Sequence, residues 1–151
     1  MEIASSCPNV TLNNNGHLHP TTVYSWIKNE DTSESYEYFL ALMNSKLIWW
    51  FIYVTGDTLQ GDARRFKTNY INPIPVPKRA QENYVVRISD LALRTVSIKS
   101  YNPQADTIQL EAQIDLLVYK LYGLTYAEVL VVDPEFGMTE EEYNTYQHEQ
   151  A

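Results

Sequence analysis

The chain has 151 residues, of which 44% are apolar, and this size fits one domain or one domain with an extension. The longest apolar stretch, 47–54, is far too short to cross a bilayer, and the first residues lack the basic start and apolar run of a signal peptide. The single cysteine, Cys7, excludes an internal disulfide and suits a reducing compartment. We therefore expect a cytoplasmic protein with no membrane partner.

The net charge of −8 argues against a polyanionic partner when it is taken alone, but the charge is unevenly distributed. Residues 1–63 carry a net charge of −5 and residues 100–151 a net charge of −9. Residues 64–99 contain eight basic residues against two acids, a net charge of +6. A nucleic acid would meet this middle segment and avoid the last one. On charge alone, a solvated surface explains the middle segment equally well.

The first half of the chain mixes strand, turn and helix signals. Short strands are predicted over 10–12 and 21–27, because β-branched and aromatic residues flank the Asn-Asn-Asn-Gly turn signal at 13–16. A helix with one apolar face is predicted over 35–43. These signals together indicate a small unit of mixed α and β structure.

The next helix, over 46–54, is apolar almost all round. We expect it at the buried centre of the fold, with at least one of Trp49 and Trp50 in the core. A polar loop follows over 56–62, and a short helical turn begins near residue 68. Prolines then favour an extended edge strand over 74–77.

The second half of the chain has a helical period. Apolar stripes predict helices over 81–99 and 107–122, which a short polar link would join as an antiparallel pair. Gly123 suits the residue just after the second helix. Thr125 and Thr139 are predicted to cap two further short helices.

The predicted fold class is therefore α+β. A mixed α/β unit over 1–79 precedes a helical unit over 80–151, and we expect both to belong to one domain.

Three blocks of sequence carry a resemblance to a known family: YFLALMNSKLIWWFIY at 38–53, RRFKTNYINPIPVPK at 64–78 and LEAQIDLLVYKLYGLT at 110–125. Over about 15–132, the chain resembles the C-terminal specificity domain of TaqI-like or Eco57I-like type II (IIG) restriction-modification methyltransferases. The middle block also resembles the specificity subunits of type I systems.

The resemblance implies a domain that reads double-stranded DNA and has no catalytic residues. Its other partners would be the adenine-specific methyltransferase and nuclease domains of a parent enzyme, so we expect the chain to be a C-terminal fragment with an added Met1. No cofactor is expected in the chain itself, since S-adenosylmethionine and Mg²⁺ are implied only for those catalytic domains.

The candidate DNA contacts lie around the polar loop. Arginine matches guanine edges and phosphates with two parallel hydrogen bonds, and recognition residues commonly lie on such loops. The base-contact candidates are Arg64, Arg65 and Gln60, and the phosphate-contact candidates are Lys67, Lys78 and Arg79.

Other chemistry finds little support in the sequence. A glycine-rich cofactor loop and an Asn/Asp-Pro-Pro-aromatic motif are both missing, and the acids lack the acid-x-lysine strand pattern of a nuclease. Cys7, His17 and His19 do not match zinc-ligand spacing, so no metal site is expected. The alternative function is a helical interaction or assembly module over 81–122 without direct DNA contact. An exposed apolar stripe would favour it, whereas basic residues clustered at one groove would favour DNA recognition.

Overall fold

A computed structural model describes residues 3–4, 10–13, 16, 18, 23–58, 64–65, 68–77 and 81–146. Most of the regular structure in these residues is helical. The elements follow in the order β1 (Ile3–Ala4), α1 (Tyr36–Asn44), α2 (Lys46–Thr55), β2 (Arg64–Arg65), α3 (Thr68–Ile71), α4 (Glu82–Tyr101), α5 (Ile108–Leu121), α6 (Tyr126–Val132) and α7 (Glu140–Thr145).

The expected α+β architecture is wrong. Residues 10–12, 23–27 and 74–77 have no regular secondary structure. The strand pairing among the described residues is limited to the two-residue strands β1 and β2, which run antiparallel. Strand propensity largely measures packing on a pleated, half-buried surface. Trp26 and Ile27 are exposed and have no such surface, so their β preference is not realised.

The core forms where α4 packs against both α1 and α5. The fully buried side chains include Tyr38 and Leu42 on α1, Leu91 on α4 and Val118 on α5. The hydroxyls of Ser35 and Ser89 share a hydrogen bond of 2.9 Å that joins the start of α1 to α4. All buried apolar residues in the described part of the chain belong to one cluster. The two predicted units therefore share a single core.

Helix α2 is less central than its composition suggests. Ile48 and Ile52 are buried, but Trp49 and Trp50 are only half-buried at the edge of the core, and Tyr53 is exposed. The expectation that at least one of the two tryptophans is buried is wrong. The physical reason is that α2 packs through one face and leaves its last turn partly in solvent, although its sequence is apolar on all sides.

The N-terminus of α2 is held by two distant carboxylates. The backbone N–H of Lys46 donates to Oδ1 of Asp115 on α5 at 2.8 Å. The Lys46 ammonium group contacts Asp133, which follows α6, at 2.7 Å. Burial raises the pKa of Asp115 to about 6, although the hydrogen bond and the charge of Lys46 act in the opposite direction. Tertiary contacts thus supply the anion that the first turn of α2 lacks.

The helices predicted over 81–99 and 107–122 are confirmed as α4 and α5. Gly123 ends α5 with a φ of 68°, as predicted. The N–H of Leu124 donates to the carbonyl of Tyr119 at 3.0 Å, which is the longer hydrogen bond of a Schellman motif. Thr125 and Thr139 each form a complete capping box, so both predicted caps are confirmed.

Candidate nucleic-acid interface

The candidate interface begins where α2 ends. Gly56 donates its N–H to the carbonyl of Ile52 at 2.8 Å. A Cβ atom at Gly56 would lie only 2.7 Å from that same oxygen, so the chain can leave the helix in this way only at glycine. Thr58 then pairs with Arg64 in an isolated antiparallel bridge. The bridge brings the two ends of the segment 59–63 together beside α2.

Arg64 faces the scaffold. Arg64 is only 4% exposed, and its Nε–H donates to the backbone carbonyl of Tyr53 at 2.9 Å. The guanidinium carbon lies 3.9 Å from the centre of the Tyr53 ring. The Tyr53 ring in turn lies 6.4 Å from that of Trp49. Arg64 is therefore held by a charge-assisted hydrogen bond and a cation–π contact on the last turn of α2.

Of the other candidate residues, only Arg65 lies within the described part of the chain. Arg65 lies in β2 and pairs with Ile3 of β1. The remaining base-contact candidate, Gln60, and the phosphate-contact candidates Lys67, Lys78 and Arg79 lie outside the described residues. The DNA contacts assigned to these residues stay predictions.

The proline-rich segment after α3 is fixed to the helical half of the chain. Ile74 is buried in the core, and the hydroxyl of Tyr122 donates to the carbonyl of Pro75 at 2.6 Å. Burial raises the pKa of the Tyr122 hydroxyl still further above neutral pH. These two contacts fix residues 74–75 beside the end of α5.

An aromatic cleft before and along α1 was missed by the sequence analysis. It has a volume of about 270 Å³ and is lined by residues between 26 and 39. Trp26 is 51% exposed and meets the edge of Phe39, with 5.8 Å between the ring centres. The Lys28 ammonium group donates to the Glu34 carbonyl and lies 5.2 Å from the centre of the Tyr36 ring. The sequence shows these aromatic residues, but Trp26 is predicted there in a strand and Phe39 on the apolar face of a helix, so their convergence on one cleft is not foreseen.

Helix α4 has an exposed apolar stripe of the kind that the interaction-module hypothesis predicts. Val86, Leu93 and Tyr101 are all exposed, and their spacing places them on one broad side of the helix. Asp90 lies between the first two and pairs loosely with Arg94 at 3.9 Å. The stripe is interrupted by polar residues and is therefore a weak apolar surface.

Side chains that could ligate a metal ion do not gather in the described part of the chain. No group of three His, Cys, Asp or Glu residues there could hold a metal ion. Cys7, His17 and His19 lie outside this part. Among the described residues, no helix combines the length and apolarity needed to cross a membrane.

Together, these observations define a helical domain in which Thr58, β1 and β2 meet beside the end of α2. Residues 2–76 match the family model of the TaqI-like C-terminal specificity domain, and this part of the chain belongs to that family. The resemblance inferred from the sequence is thereby confirmed over these residues. The match includes α1, α2, β2 and α3 and ends before α4. No curated protein and no solved structure matched the chain.

Proposed function

We propose that this chain recognises a DNA sequence for a restriction-modification enzyme whose catalytic domains lie elsewhere. The observation that carries the proposal is the family match over 2–76, which includes the whole segment anchored between α2 and β2. S-adenosylmethionine and Mg²⁺ would be bound by the methyltransferase and nuclease domains of that enzyme. The contribution of this chain would be to select where those domains act.

The distribution of charge also supports DNA binding by the residues that follow α2. The segment 64–79 contains five basic residues and no acid, in a chain whose net charge is −8. Double-stranded DNA concentrates negative charge along its backbone, so a basic segment attracts it even when the whole chain is acidic. We assign base contacts to Arg65 and Gln60. The phosphate contacts are assigned to Lys67, Lys78 and Arg79.

The decisive experiment begins by selecting a preferred sequence from randomised duplexes with the full chain at low ionic strength. Arg65→Ala should then weaken binding to the selected duplex by about 1–3 kcal/mol and relax preference at one base position. Lys78→Ala should weaken binding to selected and scrambled duplexes alike, and it should reduce the slope of log affinity against log salt concentration by about one, as expected for the loss of one phosphate contact. Arg94→Ala is a matched control, because it removes an exposed arginine on α4 that pairs only loosely with Asp90.

The alternative function makes the opposite prediction. If Arg65→Ala and Lys78→Ala bind the selected duplex as tightly as the unmodified chain does, residues 64–79 do not recognise the DNA sequence. The exposed side of α4 would then be the better candidate surface, and changing Val86 and Leu93 to serine should disrupt assembly with a partner protein without affecting DNA.

A further inference from the structure

The C-terminal end of α2 needs a cation that its own sequence does not supply. The last four carbonyls of a helix have no partner within it, and they form the negative end of the helix dipole. Helix α2 has no basic residue in its last turn. Arg64 fills this place from nine residues beyond the helix, since its Nε donates to the Tyr53 carbonyl at 2.9 Å. The arginine therefore acts as a tertiary cap of α2.

The same residue is fixed through its backbone on two sides. Arg64 is opposite Ala4 in the β1–β2 pair, and it also pairs with Thr58 across the segment 59–63. Three separate parts of the chain thus meet at one residue: the end of α2, the start of the segment, and β1. The contact between the side chain and Tyr53 is what joins the bridge to the helix.

Arg64 cannot keep this position and also reach a base. Its residue is 4% exposed, and its guanidinium lies 3.9 Å from the centre of the Tyr53 ring. Movement toward DNA would break the hydrogen bond to the Tyr53 carbonyl and uncover the ring. The sequence prediction that Arg64 contacts a base is therefore replaced here by a different role for the same residue.

We propose that Arg64 is a positioning residue, which holds Thr58 and the backbone of Arg65 against the end of α2 so that DNA can be read without contact from Arg64 itself. The proposal rests on the proposed DNA-recognition function. It gives the two adjacent arginines different roles: Arg65 contacts a base, and Arg64 positions the backbone of Arg65.

The first test uses DNA binding by the full chain. Arg64→Met should lower the preference for the selected over scrambled duplexes by about tenfold or more and relax it at several base positions, because Thr58 and β2 are no longer held against α2. The salt dependence should stay unchanged, since no phosphate contact is removed. Arg64→Lys keeps a charged donor and should restore part of the preference. Arg65→Ala is the matched control, with relaxed preference at one position.

A double-mutant cycle with Tyr53→Ala tests whether the observed contact is responsible. Tyr53→Ala removes the ring contact but keeps the backbone carbonyl that accepts from Arg64, so it should reproduce part of the broad loss of preference. The Arg64→Met/Tyr53→Ala protein should be less impaired than the sum of the two single variants. Additive effects would contradict the proposal. So would a change at a single base position, a weaker salt dependence, or binding by Arg64→Met that matches the unmodified chain.

A second readout does not require DNA. Hydrogen exchange of peptides that cover 57–65 should be about tenfold faster in Arg64→Met and unchanged in Arg65→Ala. Unchanged exchange in both variants would overturn the positioning role. If the unmodified chain shows no sequence preference, the proposed function fails while the exchange experiment still decides the role of Arg64. If Arg64→Met does not fold, Arg64→Lys and Tyr53→Ala carry both measurements.

Discussion

Replacing Asp115 with asparagine should stabilise the protein at neutral pH. Asp115 is only 8% exposed, and burial raises the pKa of its carboxyl group from 3.8 to about 6. A rise of roughly two pKa units makes ionisation about 3 kcal/mol less favourable in the folded than in the unfolded state. Asparagine keeps an oxygen that can accept the Lys46 N–H but carries no charge. We expect Asp115→Asn to raise the free energy of unfolding by about 1–3 kcal/mol near pH 8.

The sign of the pH dependence follows from the raised pKa. Because the folded state holds the proton more tightly, the stabilising contribution of Asp115 is complete below about pH 4 and is lost as the pH rises through about 6. The advantage of Asp115→Asn should therefore disappear near pH 4. Denaturant unfolding of both proteins across this range measures the difference.

The control for the aspartate experiment is Glu135→Gln, which removes an exposed acid and should change stability little at any pH. A destabilised Asp115→Asn protein at pH 8 would refute the reasoning. It would mean that the negative charge at the N-terminus of α2 stabilises the helix by more than its burial costs. A difference that does not vary with pH would refute it as well.

Four further changes test the placement of other residues by the same unfolding measurement. Ile48→Ala should lower the free energy of unfolding by about 2–5 kcal/mol, because Ile48 is 1% exposed. Trp50→Ala should lower it by less than the about 3–5 kcal/mol typical of a buried tryptophan, because Trp50 is only half-buried. A larger loss in Trp50→Ala would contradict the position of Trp50 at the edge of the core. Gly123→Ala should cost about 1–2 kcal/mol through backbone strain alone, since φ is 68° and a Cβ at this position would meet no atom within 4 Å; an unchanged stability would exclude the left-handed conformation. Thr125→Ala should cost about 0.5–2 kcal/mol by removing the cap of α6, and a neutral effect would argue against the capping box.

The helical half of the chain could be predicted because its signals are local. The apolar stripes of α4 and α5 repeat over several turns, and Gly123, Thr125 and Thr139 mark helix ends through contacts with residues three to five positions away. The strands predicted over 10–12 and 21–27 failed for the opposite reason. A strand needs a partner, and the composition of a segment does not show whether one exists.

The candidate site could be located from the sequence but not resolved into roles. The adjacent arginines and the glycine-bounded loop identified the region, and the family match includes it. The burial of Arg64 depends on where α2 ends and on which residue lies across from Thr58, and both are tertiary facts. One local signal was available: the last turn of α2 has no cation of its own, so a basic residue from elsewhere could serve there.

The acidity of the chain is weaker evidence against DNA recognition than its net charge suggests, because acids at its C-terminal end have structural partners. Glu128 and Glu142 each accept hydrogen bonds from the backbone and hydroxyl of a capping threonine, which lower the pKa of both carboxyl groups. Asp115 and Asp133 contact the backbone and side chain of Lys46. These four of the ten acids in residues 100–151 hold helix ends in place. Apart from the buried Arg64, the basic residues of 64–79 are not balanced by any acid within that stretch, so the net charge of the whole chain does not argue against a polyanionic partner there.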